Sequence, residues 1–495
     1  MEIVLTSGYI LFGIYIVTLV YITIFCLLQL HLLYKYLQGN RNPNILHHKE
    51  EDVYPMVTIQ LPVYNEKYVI ERLIDNIVRL DYPKTKMEIQ ILDDSTDDTV
   101  EITKRKVEEY RNQGFDIQCI ARTDRTGFKA GALKEAMSKA KGEFIAIFDA
   151  DFLPRPDFLK KTMPAFDDPK TGVVQTRWEH INQNHSILTE LQAFQLNVHF
   201  TIEQKGRYNA DYFLQFNGTA GIWRKSCIED AGGWEADTLT EDLDLSYRAQ
   251  LKNWKIKFLE DVTAPAELPA EINGLKSQQF RWMKGGAETA KKLLPLIWSS
   301  KISSVRKIQA TSHLLSSSIF IFVFILGVFS VPLMFFIKPL GIEMEKLTMF
   351  MVSFMSVMIV YFIANVSIAW PKQNKAWMVL KFICLFPVFL SLSMGLAFHN
   401  SLAVIEGFLG KKSAFIRTPK FGITKKGESV SKGQYFNAKI DWVSVGEGAL
   451  SLYFIGAILI GWNYGHKDFF VLHGMLAIGY LTLFYYAIEG KFSKN

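Results

Sequence analysis

Two kinds of hydrophobic pattern divide the chain: long uncharged apolar stretches at both ends, and between them a charged region in which short apolar runs recur. Residues 9–33 are apolar for longer than a bilayer needs, and Lys35, Arg41, His47, His48 and Lys49 follow. Positive charge placed after the run predicts a signal anchor with its N-terminus outside, because a cleaved signal peptide carries its charge before a shorter core. Residues 55–295 read as a soluble α/β domain. There, β-rich runs at 57–61, 89–92 and 144–148 alternate with helical patterns at 69–80, 100–112 and 130–141. Such alternation predicts a mostly parallel sheet with ligands at the carboxyl ends of its strands.

Beyond Lys307 further apolar spans are expected at 314–337, 347–370, 377–397, 449–462 and 469–488. The loop 338–346 is balanced, whereas 371–375 and 411–439 are positive and therefore expected on the cytoplasmic side. Residues 377–409 must then enter and leave on one face. They are expected to form an interfacial or re-entrant element bent near Pro387.

Composition agrees with a membrane protein: 49% of the 495 residues are hydrophobic and 21% charged, and the mean hydropathy is +0.10. The net charge of +6 is a topology signal. No basic stripe is interleaved with aromatics on one element, so no nucleic-acid partner is expected. Cys26, Cys119, Cys227 and Cys384 form no C-x-x-C pair, which suggests neither a zinc site nor a disulfide framework.

Asp149-Ala150-Asp151 follows an apolar strand, so both carboxylates are expected to project from one sheet edge, where a hard cation shared with diphosphate oxygens would sit. Asp93 and Asp94 end another strand and suit a base or ribose, while Ser95 or Asp98 is expected to cap the helix starting near Thr99. Gly127-Phe128-Lys129-Ala130-Gly131 is either a helix cap or a diphosphate cradle. The turn Ala231-Gly232-Gly233-Trp234 is expected to bring its tryptophan to the site rim, ahead of Thr240-Glu241-Asp242. Asp242 is either a general base or the cap of the helix running to Leu251. Gln278, Arg281 and Trp282 read as a sugar and phosphate anchor, or as a helix resting at lipid headgroups.

Taken in order, Pro62-Val63-Tyr64-Asn65-Glu66, Leu92-Asp93-Asp94, Gly127-Phe128-Lys129-Ala130-Gly131, Asp149-Ala150-Asp151, Phe216-Asn217-Gly218-Thr219, Thr240-Glu241-Asp242 and Gln278-x-x-Arg281-Trp282 resemble the signature set of processive family 2 glycosyltransferases. The resemblance is to cellulose synthase-like enzymes, especially the mannan and glucomannan synthase branch. It implies a GT-A type, Rossmann-like α/β cytoplasmic catalytic domain plus an α-helical transmembrane region, and inverting transfer from a nucleotide sugar. The implied layout is an anchor at 1–35, a catalytic domain at 50–295, and interfacial and transmembrane helices at 296–495 with a gating-like loop at 410–440.

The resemblance also distributes roles. Tyr64, Glu66, Asp93 and Asp94 would hold the nucleotide; Asp149 and Asp151 would hold Mg²⁺ or Mn²⁺, with Lys129 assisting at the diphosphate. Asp242 matches the general base. Phe216, Asn217, Gly218 and Thr219 match the acceptor segment, with Glu241 beside them. Gln278 and Arg281 would hold the leaving diphosphate, and Trp282 would stack the acceptor sugar. The run from Phe415 to Lys420 is similar to the family's gating loop, keeping Phe415, Thr418 and Lys420 but carrying Arg417 where the pattern has valine. GDP-mannose and UDP-glucose are the expected donors, a growing polysaccharide the acceptor, and membrane lipid and accessory export proteins the surroundings.

Two other readings stay open on the sequence. A non-processive transferase adding one sugar to a lipid needs the same donor site but not Gln-x-x-Arg-Trp. A transporter or scaffold that only binds nucleotide sugars would carry ionisable groups deep in its spans, where His399 near an end is the one expected here.

Overall fold

The computed structural model describes residues 2–39, 54–367, 374–413, 416–423 and 441–492. Its sheet comprises β1 (Val57–Val63), β2 (Met87–Asp93), β3 (Asp116–Ala121), β4 (Phe144–Ile147), β5 (Thr171–His180), β6 (Gly221–Arg224) and β7 (Lys255–Ala266), in the order β3-β2-β1-β4-β6-β5-β7. β1 pairs in parallel with β2 and β4, β2 with β3, and β5 with β7. β6 runs antiparallel to both β4 and β5, so the sheet is mixed where a mostly parallel one was expected. Side-chain alternation reports which residues are buried and is silent on strand direction, which pairing decides.

The central strands are covered on both faces. Val57, Ile59 and Leu61 enter one apolar core. The polar side chains on the other face satisfy one another: Thr58 donates to Glu88 at 2.6 Å and Gln60 to Gln90 at 3.0 Å. Because β1, β2 and β4 are parallel, the segments that follow them emerge on the same edge. Tyr64 to Glu66, Asp93-Asp94 and Asp149 to Asp151 are thereby gathered there.

Among the described residues, six helices are long and apolar enough to cross a membrane: Leu5–Gln38, Ser316–Met334, Met344–Val366, Lys375–Gly395, Trp442–Tyr464 and Lys467–Glu489. The chain is a multi-pass membrane protein. The first helix ends against the catalytic domain, where Asn209 donates to the Lys35 carbonyl at 3.2 Å and His31 meets the Tyr212 hydroxyl at 3.1 Å. The helix Ile272–Ser299 carries Gln278, Arg281 and Trp282 and is flanked by the helix Ala397–Leu409. Lys284 joins the two, donating to the Lys411 carbonyl and to Ser413 at 2.7 Å.

The helix Lys375–Gly395 packs on residues of the sheet domain along one face and also runs against the helix Phe470–Phe492, where a Cβ on Gly395 would come within 2.5 Å of Gly479. Lys381 pairs with Glu190, and Phe382 and Phe386 pack with Leu191 and Phe194. At its far end Leu392 and Leu396 join Leu188, Ile272 and Leu275. The spans also hold more ionisable groups than His399: Glu447 and His473 are fully buried within them. Both were visible in the sequence. Glu447 is paired with Lys276, and His473 Nε2 meets the Ser330 hydroxyl at 2.8 Å.

Lys276 reaches both Glu447 oxygens, at 2.9 and 3.0 Å. Removing one member of a buried pair strands the other charge, at a cost of about 3–5 kcal/mol. Glu447→Ala is therefore expected to lower the thermal midpoint of the detergent-purified protein markedly. The double change Lys276→Met with Glu447→Leu, which strands no charge, is expected to recover much of that loss.

Candidate active site

The strand ends open onto a cavity of about 230 Å³ lined by Tyr64, Glu66, Asp94, Lys129, Asp149, Asp151, Asn217, Gly218, Glu241, Asp242, Gln278, Arg281, Trp282, Thr418 and Lys420, among others. At its donor side, the loops after β1 and β2 are clamped together. Asn65, at φ +55, accepts the Thr96 amide at 2.8 Å and donates its own to the Ser95 hydroxyl at 2.8 Å. That use of Ser95 corrects its expected role as a cap. The Thr99 amide goes instead to Asp97 at 3.0 Å, while Asp98 pairs with Lys67 at 3.2 Å.

Asp93 and Asp94 part company. Asp93 is buried, accepts the Ser95 amide at 2.9 Å and does not line the cavity. Asp94 lines it and takes a two-pronged pair from Arg122. The Arg125 guanidinium lies over the Tyr64 ring, 3.2 Å from its centroid. Neither arginine was anticipated from the sequence, although both stand in the short polar run directly before Gly127. Gly127 supplies a left-handed turn at φ +75 into the helix Phe128–Met137, and Lys129 then reaches Asp149 and, at 2.9 Å, the Gly218 carbonyl. The segment therefore both starts a helix and delivers an ammonium to the site.

Asp149 and Asp151 face the same cavity, but each is held by a lysine: Asp149 by Lys129 and Asp151 by Lys420 at 2.6 Å. The donor set is all oxygen, as a hard divalent cation requires, and two further carboxylates, Glu241 and Asp242, lie in the same cavity with their protons held unusually tightly. The residues fit Mg²⁺ or Mn²⁺. Among the described residues, Glu235, Asp237 and Asp244 are the one group of three carboxylates close enough to share an ion, and Lys292 already pairs with all three.

Arg417, Thr418 and Lys420 line the same cavity. Arg417 forms a two-pronged ion pair with Glu66, Thr418 accepts from Arg281 at 2.8 Å, and the Phe421 and Gly422 amides both donate to Glu267 at 2.9 Å. Arg417 thus has a defined partner at the position where the gating pattern has valine. Glu267, at the end of β7, was missed because no motif marks it. Phe415 lies outside the described residues.

At the acceptor side, Asn217 and Gly218 line the cavity, but Phe216 and Thr219 do not. Phe216 is fully buried against Trp223, and Thr219 is buried with its hydroxyl accepting the Asp149 amide at 2.9 Å. They hold the segment in place instead of touching an acceptor. Trp234 likewise packs edge-on to Trp223 inside the core, not at the rim, because burying the indole removes more apolar surface from water than a rim position would.

Asp242 occupies the first turn of the helix Glu241–Leu251 and accepts only the adjacent Leu243 amide, at 2.8 Å, so it is not the helix cap. Its turn touches the helix Ile272–Ser299 directly. A Cβ on Gly285 would come within 2.6 Å of Thr240, and the Thr240 and Thr289 hydroxyls meet at 3.0 Å. Burial, reinforced by repulsion from Glu241, pushes the Asp242 carboxyl up to about 7. Burial also raises Glu241, with Lys129 opposing. A carboxylate titrating near 7 is suited to accept a proton at neutral pH.

A GT-A sheet whose strand-end carboxylates meet Lys129, Arg281 and an elevated Asp242 defines a nucleotide-sugar-dependent glycosyltransferase. Residues 55–285 match the family model described as "Glycosyltransferase like family 2". The chain is 33% identical over 426 residues to "Probable glucomannan 4-beta-mannosyltransferase 1" of Arabidopsis thaliana, covering 84% of this chain and 74% of that protein. It is 42% identical over 259 residues to "Glucomannan 4-beta-mannosyltransferase 7" of the same plant, covering 51% of this chain and 47% of that one. Its fold is similar to that of a mannosyltransferase from Pyrobaculum calidifontis solved with GDP-Man and Mn²⁺, at TM-score 0.55 and 19% identity over 81% of this chain and 100% of that one. The chain belongs to glycosyltransferase family 2, in the cellulose synthase-like mannan synthase branch.

Asp242→Asn is expected to lower transfer about 10²- to 10⁴-fold while leaving nucleotide-sugar affinity intact. For the unaltered enzyme, kcat/KM is expected to fall as pH drops through about 7, because protonation removes the base, and the variant's residual rate should lack that limb. A variant retaining near-normal polymer synthesis would move the base elsewhere.

Proposed function

We propose that this protein polymerises a β-1,4-linked mannan or glucomannan from GDP-mannose at the cytoplasmic face of a membrane and passes the product into its own membrane helices. The observation that carries this reading is the continuity of two cavities. A second cavity, of about 450 Å³, shares Trp178, Asn217, Thr240, Asp242 and Trp282 with the first. It continues between membrane helices past Phe25, Phe320 and Tyr361.

In this arrangement Asp242 takes the proton from the acceptor hydroxyl as it attacks the donor sugar. Arg281 and Lys129 face the growing charge on the leaving diphosphate. Asp149 and Asp151 would hold Mg²⁺ or Mn²⁺, which would supply further neutralisation of that charge. One displacement at an α-linked donor gives a β-linkage. Trp282, at the junction of the cavities, forms the platform for the terminal acceptor sugar. Arg417, Thr418 and Lys420 close over the donor, and their pairs with Glu66, Arg281 and Asp151 must open to admit it.

The donor is tested by incubating membranes with a panel of nucleotide sugars and analysing product linkage and length. A product that never exceeds one or two sugars removes the polymerase reading. Asp149→Ala and Asp151→Ala are expected to abolish metal-dependent donor binding with little change in thermal midpoint; unchanged turnover after chelation would sink the metal role. Trp282→Ala is expected to impair elongation more than hydrolysis of the donor by water. Equal losses of both would place Trp282 in the donor site.

The topology belongs to the same proposal. Because both halves of the helix Lys375–Gly395 pack on catalytic-domain residues, the helix lies along the cytoplasmic interface despite being long enough to cross. Single cysteines at Lys375 and Lys412 should label from the same side of sealed vesicles, and labelling from opposite sides would overturn this placement.

A further inference from the structure

The helix Ile187–Val198 passes into a π-turn at His199–Glu203, a distortion that recurs at functional sites. Glu203 lies 2.9 Å from His199 Nδ1 and 3.7 Å from Arg207. Burial would raise the Glu203 carboxyl, but the His199 hydrogen bond and the Arg207 charge outweigh it and hold it at about 2. Glu203 is therefore ionised and can only accept, so Nδ1 of His199 carries hydrogen.

The other imidazole nitrogen, Nε2, is 2.9 Å from the side-chain amide of Asn217. The backbone of Asn217 is fixed separately, its N–H donating to Gln175 at 2.9 Å. Asn217 lines both cavities, and a methyl group on the next residue, Gly218, would come within 3.0 Å of Asp242 Oδ2. One end of the amide is thus tied to His199. The other, Nδ2, is buried without a protein partner. A neutral imidazole would pair with the amide NH₂ and an imidazolium with its carbonyl, yet either way one polar amide atom is left without a protein partner. Such a group is completed by water or by a ligand, and a sugar hydroxyl in the adjoining cavity can serve as donor or acceptor.

We propose that Glu203 and His199 are positioning residues that orient the Asn217 amide, and that this amide binds a hydroxyl of the terminal acceptor sugar beside Asp242. The inference rests on the polymerase reading, since it needs a saccharide in the second cavity. Neither residue belongs to the motif set, and their relation to Asn217, 18 residues further along the chain from His199, is made only by the fold.

The test uses the full-length protein in detergent with sugar-labelled GDP-mannose and Mn²⁺, and measures the ratio of sugar transferred to polymer over sugar released by water. His199→Ala and Asn217→Ala are each expected to lower that ratio about 10- to 100-fold, the effect of losing one buried hydrogen bond in the transition state. Donor KM should stay within about two-fold for His199→Ala. The double variant should be no worse than Asn217→Ala alone, because His199 acts only through Asn217. Glu203→Gln, which keeps shape and removes charge, should move the ratio in the same direction and serves if His199→Ala does not fold. Equal loss of transfer and hydrolysis, or additive effects in the double variant, would overturn the proposal while leaving the polymerase reading standing. An unaltered enzyme that makes no polymer from any nucleotide sugar fails both.

Discussion

The carboxylates at the carboxyl edge of β1, β2 and β4 repel one another in a single cavity, and the surrounding structure is organised by the need to supply them with cations. Asp94 receives Arg122, Asp149 receives Lys129, Asp151 receives Lys420 and Glu66 receives Arg417. These partners come from distant stretches of chain, one of them more than 350 residues from its carboxylate by number, Arg417 against Glu66. Burial also raises the carboxyls of Asp242, Glu241 and, despite its Arg417 partner, Glu66.

Catalytic domain and membrane region are joined through buried polar contacts, not a flexible linker. The helix carrying Arg281 and Trp282 touches the turn bearing Asp242 on one side, while its Lys276 and Lys284 bind Glu447 and the segment following the helix Ala397–Leu409. A displacement of the membrane helices is therefore transmitted to the acceptor platform and the lid. Buried pairs of this kind are poor sources of net stability but constrain geometry, because separating them strands a buried charge.

Sequence by itself determined a great deal about this protein. The ordered motifs, the strand-end positions of Asp149 and Asp151, the apolar spans and the class of chemistry were all legible, because each depends on residues close together along the chain or on composition. Tertiary structure decided what needed distant residues to meet: the antiparallel β6, the withdrawal of Phe216, Thr219 and Trp234 from the cavity, the turning away of Asp93, and the seating of Arg417 on Glu66. It alone joined Asn217 to His199. The division has one physical cause. Local pattern records the preference of each residue for burial and backbone shape, whereas pairing of charges and hydrogen bonds in a low-dielectric interior depends on which chain segments pack side by side.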